Sequence, residues 1–183
     1  KMSENCRFCI AIPCYYAEWK IQETLEKYKK LIKKDQPGRF EVTVLLNWPT
    51  DGHIDESEAK KQIEDFVSKN PDFPLNVYAV TVPFQVKGKI WRLRGILTKI
   101  NADRCFESSI SVDNFIHITH DADLVDIDST YLDAIDKYFS ENPNIQIAGG
   151  HVEYPEWFKG KYYLWFILQR IEDALGIVSS YKN

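Results

Sequence analysis

The chain has 183 residues, 44% of them apolar and 27% charged, with a formal net charge of −4. That length supports one good core and that composition is ordinary for a soluble globular protein. The acidic balance excludes a general nucleic-acid binder, which needs a basic face, and no run of about 18 apolar residues offers a membrane span.

Taken in chain order, the elements alternate. Phe8 to Pro13 reads as a strand, and Glu18 to Lys34 as a helix with Ile21, Leu25, Tyr28 and Ile32 on one face. Pro37-Gly38 breaks it. Phe40 to Asn47 is a second, largely apolar strand. Asp55 to Asn70 is a second helix, with Ile63, Phe66 and Val67 inward and Pro71 after its end. Leu75 to Val82 is a third strand. Gly88 to Asp103 is a third helix, carrying Ile90, Leu93, Leu97 and Ile100. Phe115 to Thr119 is a fourth strand and Ser129 to Ser140 a fourth helix, with Leu132, Ile135 and Phe139. Ile145 to Val152 is a fifth strand and Lys161 to Val178 a last, very apolar helix.

Repeated strand–helix alternation predicts a three-layer α/β/α fold with a mostly parallel central sheet, because parallel neighbours need crossover connections. Strands that are apolar on both faces agree with a sheet covered on both sides. No internal repeat or low-complexity linker interrupts the pattern, so residues 1–183 read as a single domain.

The cysteines are Cys6, Cys9, Cys14 and Cys105. Cys6 and Cys9 have CxxC spacing, but no second CxxC or nearby His completes a zinc set. Buried free thiols in a reducing cytosol are the expectation, and the first residues do not read as a signal peptide.

In open α/β sheets, ligands bind outside the carboxyl ends of the strands. The segments that follow the strands are Pro13-Cys14-Tyr15-Tyr16, Asn47-Trp48-Pro49-Thr50-Asp51-Gly52, Lys87-Gly88-Lys89 and His120-Asp121-Ala122-Asp123. In the last, a strand runs straight into Asp121, Asp123, Asp126 and Asp128. Such a cluster is either a solvated loop with a helix cap or a cation site. Asp126 or Asp128 is expected to cap the fourth helix. Asp121 and Asp123, two apart, share a side if the backbone is extended, and their hard oxygens suit Mg²⁺ or Mn²⁺. Lys87, Lys89, Arg92 and Arg94 open the third helix, where a phosphate can be received, or else form a solvated face. Tyr15 and Tyr16 can stack on a base or simply pack the rim. His117 and His120 read as hydrogen-bonded strand histidines, and Asn47 and Asp51 can form an Asx turn with Gly52.

In order and spacing these residues resemble a family-two glycosyltransferase of the GT-A fold. CIAIPCYYAEWKIQETL is similar to that family's opening strand, Pro and helix; LLNWPTDG to its second-strand turn; GKIWRLRGIL to its Gly-Lys helix; HDAD to its metal motif; and YLDAI with IQIAGG to its next helix and strand. The resemblance implies a Rossmann-like nucleotide-binding fold and a metal-dependent hexosyltransferase of polysaccharide biosynthesis. It implies a nucleotide-diphosphate sugar, a UDP-sugar favoured, held by Pro13, Tyr15, Glu18, Asn47, Asp51, Lys89 and Asp121. Mn²⁺ or Mg²⁺ would lie at Asp121 and Asp123, and the acceptor would be a saccharide or a lipid-linked hydroxyl. The chain departs from the pattern where Leu46 stands at a base-recognising Asp and Arg94 at an Asn. No catalytic base is assigned: Glu172-Asp173 lies too soon after Gly149-Gly150 and inside an apolar helix. The chain therefore reads as the donor-binding part, with the acceptor part shortened or missing. The alternatives are a non-catalytic nucleotide- or sugar-binding module and a nucleotidyltransferase.

The last helix includes Tyr162, Tyr163, Leu164, Trp165, Phe166, Ile167 and Leu168, apolar nearly all round, and such a helix is normally buried on more than one side. It is expected to meet a missing acceptor region, a second copy of the chain or a membrane surface, with protein contact ranked above lipid. The expected location is cytoplasmic, at most peripheral at the inner face of the membrane.

Overall fold

The computed structural model describes residues 1–48, 57–81, 89–111, 114–145 and 148, and of Lys89 the backbone alone. The chain divides into two compact units, Lys1–Glu141 and Asn142–Asn183. The first holds strands β1 (Phe8–Tyr15), β2 (Phe40–Trp48), β3 (Leu75–Thr81) and β4 (Ile116–Thr119), and helices α1 (Ile21–Tyr28), α2 (Glu58–Lys69), α3 (Lys89–Glu107) and α4 (Tyr131–Glu141). The expected fifth strand lies almost wholly, and the expected last helix wholly, outside the described residues.

The sheet has the order β3-β2-β1-β4, and every pair in it is parallel. Residues of a strand alternate between faces, and the sequence fills both. Phe8, Ile10, Ile12, Cys14, Phe40, Val42, Val44 and Leu46 join one core with Ile21, Leu25 and Tyr28 of α1, Ile63 and Phe66 of α2, and Leu132 of α4. Ala11 and Leu45 meet Leu93 and Leu97 of α3 in a second, smaller cluster. Helices thus cover both faces, and the expected α/β/α layering with a parallel, Rossmann-like sheet is what the chain adopts. β3 is an exception to full cover: Tyr78 and Val80 pack against the α3 cluster, but Val77, on its other face, is 43% exposed.

Three expected core positions are corrected. Ile32 is 50% exposed while Leu31 is buried. The α-helix ends at Tyr28 and continues as a 3₁₀ turn over Lys29–Leu31, where residues three apart eclipse, so Leu31 stacks below Tyr28 and Ile32 leaves the face. On α2 the inward stripe is Ala59, Ile63 and Phe66, one face at spacings of four and three, which leaves Val67 outside. Ile90 is exposed, and Leu93 and Leu97 carry the contact of α3 with the sheet. At the turn before β2, Gly38 has φ +71 and a Cβ there would lie 2.3 Å from Ser3 Oγ, so this position is reserved for glycine.

Candidate functional site

The chain moves outward from β1 to β2 and β3, then returns to place β4 on the other side of β1. Strand order reverses between β1 and β4, the switch point at which open α/β sheets form a ligand crevice beyond the strand C-termini. The register deepens it. β4 pairs with β1 only as far as Thr119 opposite Ala11, whereas β1 and β2 stay paired to Tyr15 opposite Asn47. Ile12 to Tyr15 therefore overhang the end of β4 by about 13 Å.

The floor of this step is His120. Its N–H donates to the Ala11 carbonyl at 3.0 Å. Its ring lies between two hydroxyls, with Tyr28 Oη 2.7 Å from Nδ1 and Tyr131 Oη 2.7 Å from Nε2. Burial pushes its pKa down to about 4. A neutral imidazole has one N–H and one lone pair, so one tyrosine donates to it and the other accepts. The expectation of a hydrogen-bonded histidine holds, but its partners come from α1 and the start of α4.

The acid loop is fastened to α1. Thr24 Oγ1 donates to the Ala122 carbonyl at 2.8 Å, and Lys27 Nζ to the Leu124 carbonyl at 2.9 Å. Asp126 pairs with Lys30 at 2.5 Å and accepts the Ile127 N–H. Asp128 accepts from both the N–H and the hydroxyl of Thr130 just ahead of α4, as expected of a capping acid. These bonds hold both carboxyls below the usual carboxylate range.

Asp121 and Asp123 remain, and both are exposed. β4 ends at Thr119, and Ala122 and Asp123 lie in a turn. The backbone between them is thus not extended, and strand alternation does not give them a shared side. Asp121 accepts from Arg94 Nη2 of α3 at 2.7 Å. Among the described residues no three His, Cys, Asp or Glu side chains converge as a metal cage. Mg²⁺ and Mn²⁺ need fewer, since they are held by one or two carboxylates and keep waters and substrate phosphates as other ligands. In donor chemistry Asp121 and Asp123 fit such an ion, but Arg94 already engages the first of them.

On the β1 and β2 side, Pro13 is buried and Tyr15 and Tyr16 meet edge to face with centroids 4.6 Å apart. The Tyr16 N–H donates to the Asn47 carbonyl at 2.9 Å, and the Tyr16 carbonyl accepts from the Ser57 hydroxyl and the Ala59 N–H at the start of α2. Glu18 accepts the Lys20 N–H at 3.0 Å and so braces the turn into α1. Asn47 is 5% exposed, and its Oδ1 is buried with no hydrogen-bond partner among the described residues. Asp51 and the Lys89 side chain lie outside the described residues.

Residue reasoning missed the seam along α3. Arg94 reaches Asp121, Thr98 Oγ1 lies 3.1 Å from His117 Nε2, and Asn101 Oδ1 accepts from Thr43 at 2.9 Å. The spacing 94, 98, 101 is a helical stripe of polar residues, a signal that was present in the sequence. The four cysteines are buried free thiols, and burial pushes Cys6 and Cys9 up to about 12. Among the described residues, no helix is long and apolar enough to cross a membrane.

No protein-family model matches this chain, and no curated protein matches it. Among solved structures, the mannosyltransferase PcManGT from Pyrobaculum calidifontis, in complex with GDP-Man and Mn²⁺, is similar at 20% identity with a TM-score of 0.47. The match covers 74% of this chain and 33% of that one, so the chain spans about a third of its neighbour's length. A likeness at that level adds nothing to what the sheet itself shows.

Proposed function

We propose that this chain is the donor-binding part of a glycosyltransferase, taking a nucleotide-diphosphate sugar into the crevice between β1 and β4 for transfer to an acceptor hydroxyl. The observation that carries the reading is Asn47 Oδ1, a buried acceptor without a donor among the described residues, near the C-terminal end of β2. Leaving such an atom unpaired costs about 1–3 kcal/mol, and a ligand N–H or O–H would recover it. Asn47 lies opposite Tyr15 in the register, so base and ribose would sit over the β1–β2 overhang, beside the tyrosine rings. Pro13 would shape the floor and Glu18 would hold the turn. Asp51 and Lys89 join the reading on their place in the chain alone.

Asp121 and Asp123 would hold Mn²⁺ or Mg²⁺. When bound, such an ion supplies positive charge where the diphosphate departs. The polypeptide's own task is orientation, with the Tyr28–His120–Tyr131 chain and the Thr24 and Lys27 bonds fixing the loop that carries both carboxylates. A uridine nucleotide and a saccharide or lipid-linked acceptor complete the reading.

Calorimetry with UDP and with GDP tests it, each with Mn²⁺ and with chelator. Asn47→Leu removes the orphan acceptor at similar volume. It is expected to leave stability unchanged or raise it, and to weaken nucleotide binding about tenfold. Nucleotide affinity equal in Asn47→Leu and the parent chain would sink this reading of β2. A non-catalytic binding module is the second reading, favoured by the Arg94–Asp121 pair, which already neutralises one proposed metal ligand. Release of nucleoside diphosphate from a nucleotide sugar in the presence of acceptor separates the two.

A further inference from the structure

Arg94 stands at the edge of the crevice with an unusual set of engagements. Its Nη2 donates to Asp121 Oδ1 at 2.7 Å, while its Nε is buried and has no partner among the described residues. The side chain is 42% exposed and that of Asp121 64%, so the pair faces solvent and is exchangeable. A guanidinium has five N–H groups in a planar fork suited to phosphate. The one hydrogen bond to Asp121 leaves most of that fork uncommitted.

We infer that Arg94 is a diphosphate-binding residue that exchanges partners: it neutralises Asp121 in the empty site and turns to the ligand's phosphates when a divalent cation takes Asp121. This rests on the donor-site reading given above. A cation and a guanidinium cannot both sit against the same carboxylate oxygen without repelling each other. A cation on either oxygen of Asp121 lowers the negative charge left to hold Arg94, so cation binding and release of Arg94 are coupled, and a nucleoside diphosphate then meets both charges.

The exchange makes effects of opposite sign. Arg94→Gln removes the competitor, so Mn²⁺ alone should bind about three- to tenfold more tightly, read by electron paramagnetic resonance of the free ion. The same change should weaken UDP or GDP binding with Mn²⁺ present by about tenfold or more, because a charge-assisted phosphate contact is lost. Asp121→Asn frees Arg94, so UDP or GDP should bind about two- to fivefold more tightly in chelator. In an Arg94→Gln background that gain should vanish, whereas simple removal of a negative charge would give the same gain in both backgrounds. Arg94→Lys keeps the charge and loses the fork, so its Mn²⁺ affinity should stay near that of the parent chain while its diphosphate affinity falls. Thermal unfolding of each variant confirms that the fold is intact.

Unchanged or weaker Mn²⁺ binding in Arg94→Gln, or equal Asp121→Asn gains in the two backgrounds, would overturn the exchange and leave the donor site standing. A parent chain that binds neither Mn²⁺ nor nucleotide would overturn both.

Discussion

On one face of the sheet, α1, α2 and α4 cover Phe8, Ile10, Ile12, Val42 and Val44 with Leu25, Ile63, Phe66 and Leu132. On the other, α3, the one helix there among the described residues, lays Arg94, Thr98, Asn101 and Arg104 across Glu41, Thr43, His117 and Asp121, with Leu93 and Leu97 buried as its apolar anchor and Ile96 and Ile100 half-buried beside them. Both faces belong to the same strands, and the difference lies in what the alternate positions carry. An apolar face holds the fold by burial, at about 1.5–3 kcal/mol per large side chain. A polar face contributes little net energy and depends on every partner being present. The second arrangement places charged and hydrogen-bonding groups at the rim, where a ligand can take over their engagements.

The largest effect that can break this comparison is on the apolar side. Phe66 is fully buried and meets Phe73 edge to face at 5.0 Å. Phe66→Ala should lower unfolding stability by about 4 kcal/mol, read by urea denaturation. A loss below about 1 kcal/mol would mean that this face is not where stability resides.

His120 sharpens the comparison, because it is a titratable group half-buried on the apolar face. Its pKa falls from 6.5 to about 4 through burial. Below pH 6.5 the unfolded chain takes up a proton that the folded chain refuses, so stability falls as pH drops, and the loss is complete near pH 4. The full drop is about 3 kcal/mol. In chelator, the parent chain should lose this stability across that window and His120→Gln should not. Parallel profiles for the two chains would place the ring in solvent contact.

On the polar face, Arg104 bonds Glu41, Asn76 and Tyr78, and Glu41 is 7% exposed. Arg104→Met leaves that carboxylate buried without its charge partner, held by the Asn76 amide and the Ser3 N–H, at a cost of about 2–3 kcal/mol. Adding Glu41→Leu should return part of the loss, since it removes the uncompensated charge while Asn76 and the Ser3 N–H lose their acceptor. If the double variant is as unstable as the single one, the seam is a stabilising network and the contrast between faces weakens. The smallest effect is at the rim: Lys30 and Asp126 are paired but well exposed, so Asp126→Asn should leave the unfolding midpoint unchanged within error.

The sequence by itself determined the order of the four described strands and four α-helices, the parallel sheet, and the strand ends at which Tyr15, Tyr16 and Asp121 lie. Those follow from local periods, two along a strand and 3.6 along a helix, and from the crossover that parallel strands require. Leu25, Ile63, Phe66, Leu97 and Leu132 were legible as core for the same reason. Tertiary structure decided the rest. Leu31 replaced Ile32 because a 3₁₀ turn changed the period after Tyr28. A turn at Ala122-Asp123 stands where extended backbone was expected between Asp121 and Asp123. The pairing of Arg94 with Asp121, 27 residues on, and of Tyr28 with His120, 92 residues on, depends on which strand lies beside β1 and which helix covers it. A hydrogen bond needs its partners within about 3 Å, and no local period carries that information across the chain.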